Sequence, residues 1–450
     1  MTDVGMVPGS LLFIVLAIFG CIALFFTWNH RDSVRFQMAL FLVALCTRFA
    51  FSIWVYQLGL VTVLHDEDSS GWLMGVPLQQ QWVQQRLSLL DLPYTLLGAF
   101  QGEHFGYKYL LGALFYVINS PTRMVAAVLN CFFGALTVVF AYRIARTLFS
   151  EWVAIRVGWW TCLLPSLIVW SGQTVKEPAV IFLETLALYG CVNLRRCGFS
   201  FRHVALCAAA TVLVIPFRFY VAYVIAGAII SSLLLPHLTR RRMSIGSALI
   251  VIILLASLLV VSGVLVRHES QFDRFDAKFI STYRHGLAVD AGSGVETSYD
   301  IRTNRGLAMA TLEGGVYLLL APFPWDLGGS LRKMLTTPEL FIWWWLVVVG
   351  LIPGLWYTIR KRLSDVQPLL FFVVGLGLLY SVTFGNVGLA YRQRAQLLPW
   401  LVIIAMVGLE QRELRKSARR RQFFRRPAVP RLVVPIHPTS QTTAEGTVGE

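Results

Sequence analysis

The sequence predicts an all-α integral membrane protein, a polytopic bundle of about eleven transmembrane helices. Three observations carry that reading. Of 450 residues, 56% are hydrophobic and only 14% charged, with a mean hydropathy of +0.64, a balance typical of multi-pass membrane proteins. The apolar residues gather in runs close to the roughly 20 residues that a hydrocarbon core requires. The arginines cluster between alternate runs, as the positive-inside rule demands.

The apolar runs are 11–28, 38–60, 124–142, 152–170, 178–194, 205–215, 219–235, 244–266, 340–357, 369–384 and 397–409. Asp3 and the lack of any basic residue in the first ten positions make the first run a retained span and a poor signal peptide. The run 205–215 is short and meets Pro216, so it and the next form a kinked pair. Phe105–Ile118 and 315–325 are too short to span and are expected to lie in the interface. Counting Phe105–Ile118 as a span would invert every later helix and carry the basic clusters outside.

Those clusters set the orientation. Arg31 and Arg35, Arg143 to Arg156, Arg195 to Arg202, Arg240 to Arg242, Arg360 to Arg362 and the tail arginines 419–426 all emerge on one side. That side is cytoplasmic, with the N-terminus outside and the C-terminus inside. Short cytoplasmic loops and no organelle signal point to a bacterial plasma (inner) membrane. The net charge of +15 is thereby assigned to loops and an anionic leaflet, and no nucleic-acid-binding pattern is visible. The seven cysteines lie in apolar runs or beside an arginine-rich loop, without metal-binding spacing or a disulfide framework. Beyond Arg412 the chain turns basic, then Pro-rich, then Ser/Thr/Glu-rich, and disorder is expected.

The extracytoplasmic face collects ionisable groups from distant segments. His65-Asp66-Glu67-Asp68 begins the first outer loop, 63–104, whose stretch 79–90 is amphipathic. Its carboxylates provide a general base, a divalent-cation ligand set (Mg²⁺ or Mn²⁺ on Asp66 and Glu67), or both. On composition alone it is also an ordinary acidic loop start. Lys176-Glu177-Pro178 opens the fifth run: Pro178 and Glu177 are helix-start signals, whereas Lys176 has no such role and suits a phosphate. Arg218 sits in Pro216-Phe217-Arg218-Phe219-Tyr220, and Arg392 and Arg394 flank Gln393 beside Tyr391 in the last outer turn. Any one of these arginines is explained as an anchor to headgroups. Together, against the positive-inside trend, they favour a lipid-phosphate site. His104 and Lys108 flank the interfacial segment as supporting residues. Within the spans lie Arg48 and Glu184, for which no direct pair is predicted. Trp343-Trp344-Trp345 reads as packing or an interface belt.

The order of these features resembles the GT-C superfamily of polyprenyl-phosphate-sugar-dependent glycosyltransferases, in its protein O-mannosyltransferase and aminoarabinose-transferase-like branch. The resemblance runs over residues 38–409. It rests on the acidic pair after an early span, on Tyr107-Lys108-Tyr109-Leu110-Leu111-Gly112 and on Asn119-Ser120-Pro121-Thr122-Arg123. It continues in Ala141-Tyr142-Arg143-Ile144-Ala145-Arg146, in Leu164-Pro165-Ser166 leading to Lys176-Glu177, and in Tyr391-Arg392-Gln393-Arg394 before Leu398-Pro399. It implies Asp66 or Glu67 as catalytic base and Lys176, Arg218, Arg392 and Arg394 as donor-phosphate ligands, supported by Asp68, Glu177, Lys108, His104 and Tyr391. It further implies a polyprenyl-phosphate sugar donor, a glycan, lipid or protein acceptor, and inversion at the sugar carbon. Three features depart from the family: the extra helix at 11–28, Phe105-Gly106-Tyr107-Lys108 where Pro-Pro-Leu is usual, and the lack of a large C-terminal soluble domain, which leaves acceptor recognition to the outer loops. The chain is then organised as an N-terminal helix and cytoplasmic loop (1–37), a GT-C-like module (38–266), an outer loop (267–338), the last helices (339–410) and a basic tail (411–450). An O-antigen ligase or polymerase depends less on the first-loop acids. A flippase or transporter would carry charges through mid-membrane and often an internal repeat. A non-catalytic scaffold gives no reason for the convergence.

Overall fold

The computed structural model describes residues 4–27, 33–60, 67–102, 105–234, 245–261, 276–289, 293–295, 299–323 and 331–424. Among these, regular structure is helical apart from one isolated bridge between Gly294 and Asn386. Two apolar helices come first, α1 (Met6–Phe26) and α2 (Val34–Gln57). The first long loop holds a 3-10 helix (Glu67–Gly75), α3 (Val76–Gln84), the single turn α4 (Leu92–Leu96), a second 3-10 turn (Leu97–Gln101) and α5 (Phe105–Ile118). Then follow α6 (Arg123–Leu148), α7 (Glu151–Leu163), α8 (Pro165–Ser171), α9 (Glu177–Cys197), α10 (Phe201–Val214), α11 (Phe219–Leu234) and α12 (Ile245–Val261). The segment that follows contributes α13 (Ala277–Val289) and α14 (Asn304–Leu320). Next, α15 (Leu331–Leu346) continues through a π turn (Val347–Leu351) into α16 (Ile352–Lys361), and α17 (Leu363–Val382) and α18 (Val387–Phe424) close the series.

The chain divides into two units, Met1–Glu410 and Gln411–Glu450. At the centre of the first lie α6 and α9, buried along almost their whole lengths. Small side chains such as Ala126, Ala135, Ala179 and Ala187 let neighbouring helices approach them closely. α6 packs against α1, α2, α7 and α9, and α10 covers α9. α1 stays peripheral, turning Leu11, Val15, Phe19 and Phe26 outward as a lipid-facing surface would. α9 carries Glu177 in its first turn and Arg195 and Arg196 in its last, each complementing the helix dipole, and it ends on Gly198 at φ 92°.

Among the described residues, six helical stretches are long and apolar enough to cross a membrane: Met6–Phe26, Val34–Gln57, Arg123–Leu148, Glu177–Cys197, Pro338–Lys361 and Leu363–Val382. The pair α7 and α8, bent by 54°, makes up to seven. This corrects the expected eleven. The runs at 205–215 and 219–235 form α10 and α11, of 14 and 16 residues, and the run at 244–266 is described only as α12, of 17 residues. The run at 397–409 lies inside α18, where Arg392, Arg394, Glu410 and Arg412 crowd its ends and shorten the apolar stretch. Phe105–Ile118 is a 14-residue helix, whereas the first part of the expected interfacial stretch at 315–325, as far as Leu320, belongs to the longer α14, and residues 324 and 325 lie outside the described residues. The second unit, taken by itself, is helical as far as Phe424, with Lys416 Nζ 2.9 Å from Glu413. Disorder was expected from residue 413 onward. The Leu, Lys, Arg and Gln residues of this stretch are strong helix formers and extend the helix instead.

The bend between α7 and α8 has a clear cause. Pro165 cannot donate to the preceding turn, so carbonyls at the end of α7 lose their helical partners. Arg48, buried on α2, donates to Thr161 O and Cys162 O at 3.2 Å each. Ser52 Oγ donates to Gly172 O at the far end of α8, at 2.7 Å. The charge on Arg48 is thus satisfied by a broken helix and not by Glu184.

Basic residues mark one end of the first unit. Arg196 lies 2.8 Å from Asp365 and donates to Leu148 O, and Arg362 donates to the same carbonyl at 2.9 Å. The C-terminal ends of α6, α9 and α16 therefore meet the start of α17. The opposite ends of α9 and α17, with the turn between α10 and α11 and the start of α18, frame the cavity described next.

Candidate functional site

A cavity of about 460 Å³ is lined by Ser70, Gly71, Met74, Tyr107, Thr174, Val175, Lys176, Arg218, Tyr220, Tyr283, Leu389, Arg392 and Gln393. Lys176, Arg218 and Arg392 come from three segments far apart in sequence. Behind the wall is Glu177, wholly inaccessible to solvent, whose two carboxylate oxygens separate the two arginines. Arg218 Nη2 donates to Oε1 at 2.5 Å and Arg392 Nη2 to Oε2 at 2.8 Å.

Each guanidinium has further support. Arg218 Nη1 donates to Tyr220 Oη at 2.5 Å and to Tyr380 Oη at 3.2 Å, and Tyr380 Oη in turn donates to Gln396 Oε1 at 2.7 Å. Burial opposes the charge on Arg218, but Tyr220, Tyr380 and the Glu177 carboxylate outweigh it and hold the pKa above the ordinary arginine value. Arg392 lies 5.8 Å from the centroid of the Trp170 ring. Lys176, Arg218 and Arg392 thus bring three cationic side chains to one wall. A cavity of this kind suits an anion, and forked N–H groups suit phosphate oxygens.

The segment carrying Lys176 is pinned from behind. Asn130 Nδ2 on α6 donates to Gln173 O at 2.6 Å, Val175 O at 2.7 Å and Tyr107 Oη at 3.0 Å. Thr174 N donates to Tyr56 Oη at 3.1 Å. Gly71 packs so closely on this segment that a Cβ there would stand 2.3 Å from Thr174 O. Gly106 N donates to Pro216 O at 2.9 Å and ties α5 to the Arg218 turn. Burial raises the Tyr107 hydroxyl well above the usual phenol range, so it stays protonated in the wall.

The expected site residues are distributed as follows. Lys176, Arg218 and Arg392 line the cavity, and Glu177 bridges two of them. Arg394 is directed elsewhere. Two residues beyond Arg392 is about 200° around a helix, and Arg394 Nη1 donates to Ala321 O at 2.7 Å and Leu319 O at 3.3 Å. Tyr391 donates to Glu339 Oε2 at 3.0 Å and lies outside the lining. Lys108 rests over the Phe105 ring, 5.5 Å from its centroid, and does not line the cavity. Asp66 and His104 lie outside the described residues, as does His65. Glu67 and Asp68 begin the 3-10 helix whose Ser70, Gly71 and Met74 reach the cavity wall. Among the described residues no group of three His, Cys, Asp or Glu side chains could hold a metal ion. The Mg²⁺ or Mn²⁺ ligand set expected on Asp66 and Glu67 involves Asp66, which lies outside the described residues.

Sequence reasoning missed Tyr107, Tyr220, Tyr283 and Gln393 in the wall, and Asn130 and Tyr380 behind it. Tyr220 and Gln393 adjoin expected residues and were within reach of the same logic. Asn130 and Tyr380 sit inside apolar runs, where a polar side chain is itself a signal. Trp343 and Trp344 donate to Leu319 O and Leu320 O at 2.7 and 2.9 Å, which makes them packing residues.

No protein-family model matches the chain, and comparison with curated proteins finds no relative.

Proposed function

We propose that the protein is an inverting membrane glycosyltransferase of the GT-C type. In this reading it takes a sugar from a polyprenyl-phosphate donor and passes it to an acceptor on the extracytoplasmic face of a bacterial plasma membrane. The observation that carries this reading is the convergence of Lys176, Arg218 and Arg392 on one cavity, with Glu177 fixing both arginines. A lipid-linked donor presents its phosphate at the membrane surface and its anomeric carbon just outside. Cations at helix ends are suited to that phosphate.

The acceptor hydroxyl oxygen attacks the anomeric carbon while Asp66 or Glu67 takes its proton. The bond from that carbon to the phosphate oxygen breaks, and its electron pair stays on the phosphate. The phosphodiester thereby gains a negative charge, and Lys176, Arg218 and Arg392 stabilise it in the transition state. Direct displacement inverts the sugar carbon, and product stereochemistry by NMR reads this out.

One observation favours transport instead. Glu184 is fully buried on α9, seven residues beyond Glu177, and neither of its oxygens has a hydrogen-bond partner among the described residues. A proteoliposome assay separates the two activities. With a panel of radiolabelled polyprenyl-phosphate sugars, the transferase reading expects label on an acceptor, with transfer abolished in Asp66→Asn/Glu67→Gln. Folded double variants that transfer at the full rate would remove the assigned base. Label that changes leaflet without changing its covalent partner would support transport.

A further inference from the structure

A second cavity, of about 210 Å³, opens on the other side of α13. Ser281, Arg284, His285 and Ala288 follow one another at helical i, i+3, i+4 and i+7 spacing and form one wall, and Tyr299 and Ile301 belong to the opposite one. Tyr283 on the same helix lines the first cavity, so α13 is the partition between the two. The two share a second frame. Val295 N donates to Gly385 O at 2.9 Å and Val387 N to Ser293 O at 3.0 Å, tying this wall to the start of α18, which carries Arg392.

The lining chemistry is specific. Arg284 is buried, with Nη1 fixed on Val382 O at 2.8 Å. Burial lowers its pKa, and the Glu313 carboxylate acts in the opposite direction. What faces the space is a rigid donor, an imidazole, two hydroxyls and an exposed tyrosine ring. Such a wall both donates and accepts hydrogen bonds and offers a flat apolar face, and the one guanidinium in it is tied to Val382 O and opposed by Glu313. The volume is below that of a drug-sized ligand site.

We propose that this cavity binds a single neutral sugar ring, held by Arg284, His285 and Tyr299, and that the ring belongs to the acceptor. The ligand class follows from the cavity itself; its role as acceptor rests on the glycosyltransferase reading. An acceptor glycan lying against α13 would reach from here toward the first cavity.

Ligand-observed saturation-transfer NMR on the full chain in nanodiscs tests this, using methyl hexosides, glucuronate and sulfate as probes and farnesyl phosphate as competitor. A methyl hexoside should receive saturation at millimolar concentration and keep it when farnesyl phosphate is in excess. Exposed His285→Ala and Tyr299→Ala should each weaken hexoside binding about tenfold, the loss of about one good hydrogen bond or ring contact, with unchanged thermal unfolding. No saturation of any hexoside, displacement by farnesyl phosphate, equal binding in both variants, or preference for glucuronate or sulfate would each overturn the proposal. Hexoside binding with no farnesyl phosphate binding would support the sugar site and count against the polyprenyl-phosphate reading.

Discussion

Glu177 sits between two guanidinium groups in a place that water does not reach. Removing one partner of a buried charged network leaves the others uncompensated, at a cost of about 3–5 kcal/mol. Glu177→Gln should therefore lower the thermal unfolding midpoint clearly in detergent, and an unchanged midpoint would contradict the bridging role. Lys176 is different, since it lines the cavity while Glu177 ties the arginines. Lys176→Ala should weaken lipid-phosphate binding about tenfold, as loss of one charge-assisted contact does. At this scale the sequence was legible wherever a charge stood at a helix mouth, as at Lys176, Arg218 and Arg392. It was ambiguous between Arg392 and Arg394, because composition gives both the same value and only helix phase separates them. Tyr380 and Asn130 escaped notice because their runs read as uniformly apolar.

Among the elements, the bent pair α7 and α8 depends on a side chain from α2. Arg48→Met would leave Thr161 O and Cys162 O unsatisfied in the interior, at about 2–4 kcal/mol for the two carbonyls and the lost charge contacts. The variant should unfold at lower temperature, whereas Arg48→Lys, which keeps a donor, should recover part of the loss. The first outer loop meets the site in a similarly local way. Gly71→Ala would force a Cβ into Thr174 O, displacing either the 3-10 helix or the segment before Lys176. Reduced lipid-phosphate binding in a folded Gly71→Ala protein is the expected outcome, read by titration. Hydrophobic periodicity fixed most helix positions, yet it overcounted spans. Length alone cannot tell a crossing helix from a 14- to 16-residue helix packed inside a bundle, as α10 and α11 illustrate. The outer segment at 267–338 looked like a polar loop, although α13 and α14 form within it once packing partners are supplied.

For the whole molecule, alternation of charge between ends was the feature most readable from sequence. The clusters at Arg196 and Arg362 meet at one end of the first unit, and the cavity lies at the other. The proposed orientation predicts that a C-terminal tag is protected from protease in intact spheroplasts and digested in inverted vesicles. Digestion in spheroplasts would reverse the assignment of the cavity to the outer face. Convergence of residues 176, 218 and 392 on one space was an inference from topology, and α10, although only 14 residues long, returns the chain from the far end of α9 to the cavity.

The most direct measurement is the affinity of farnesyl phosphate for the protein in nanodiscs, compared among wild type, Lys176→Ala and Arg392→Gln. Binding by the wild type, weakened about tenfold in each single variant and more in the double, is the result the lipid-phosphate account requires. Equal affinity in all four proteins, with each variant folded, would contradict it.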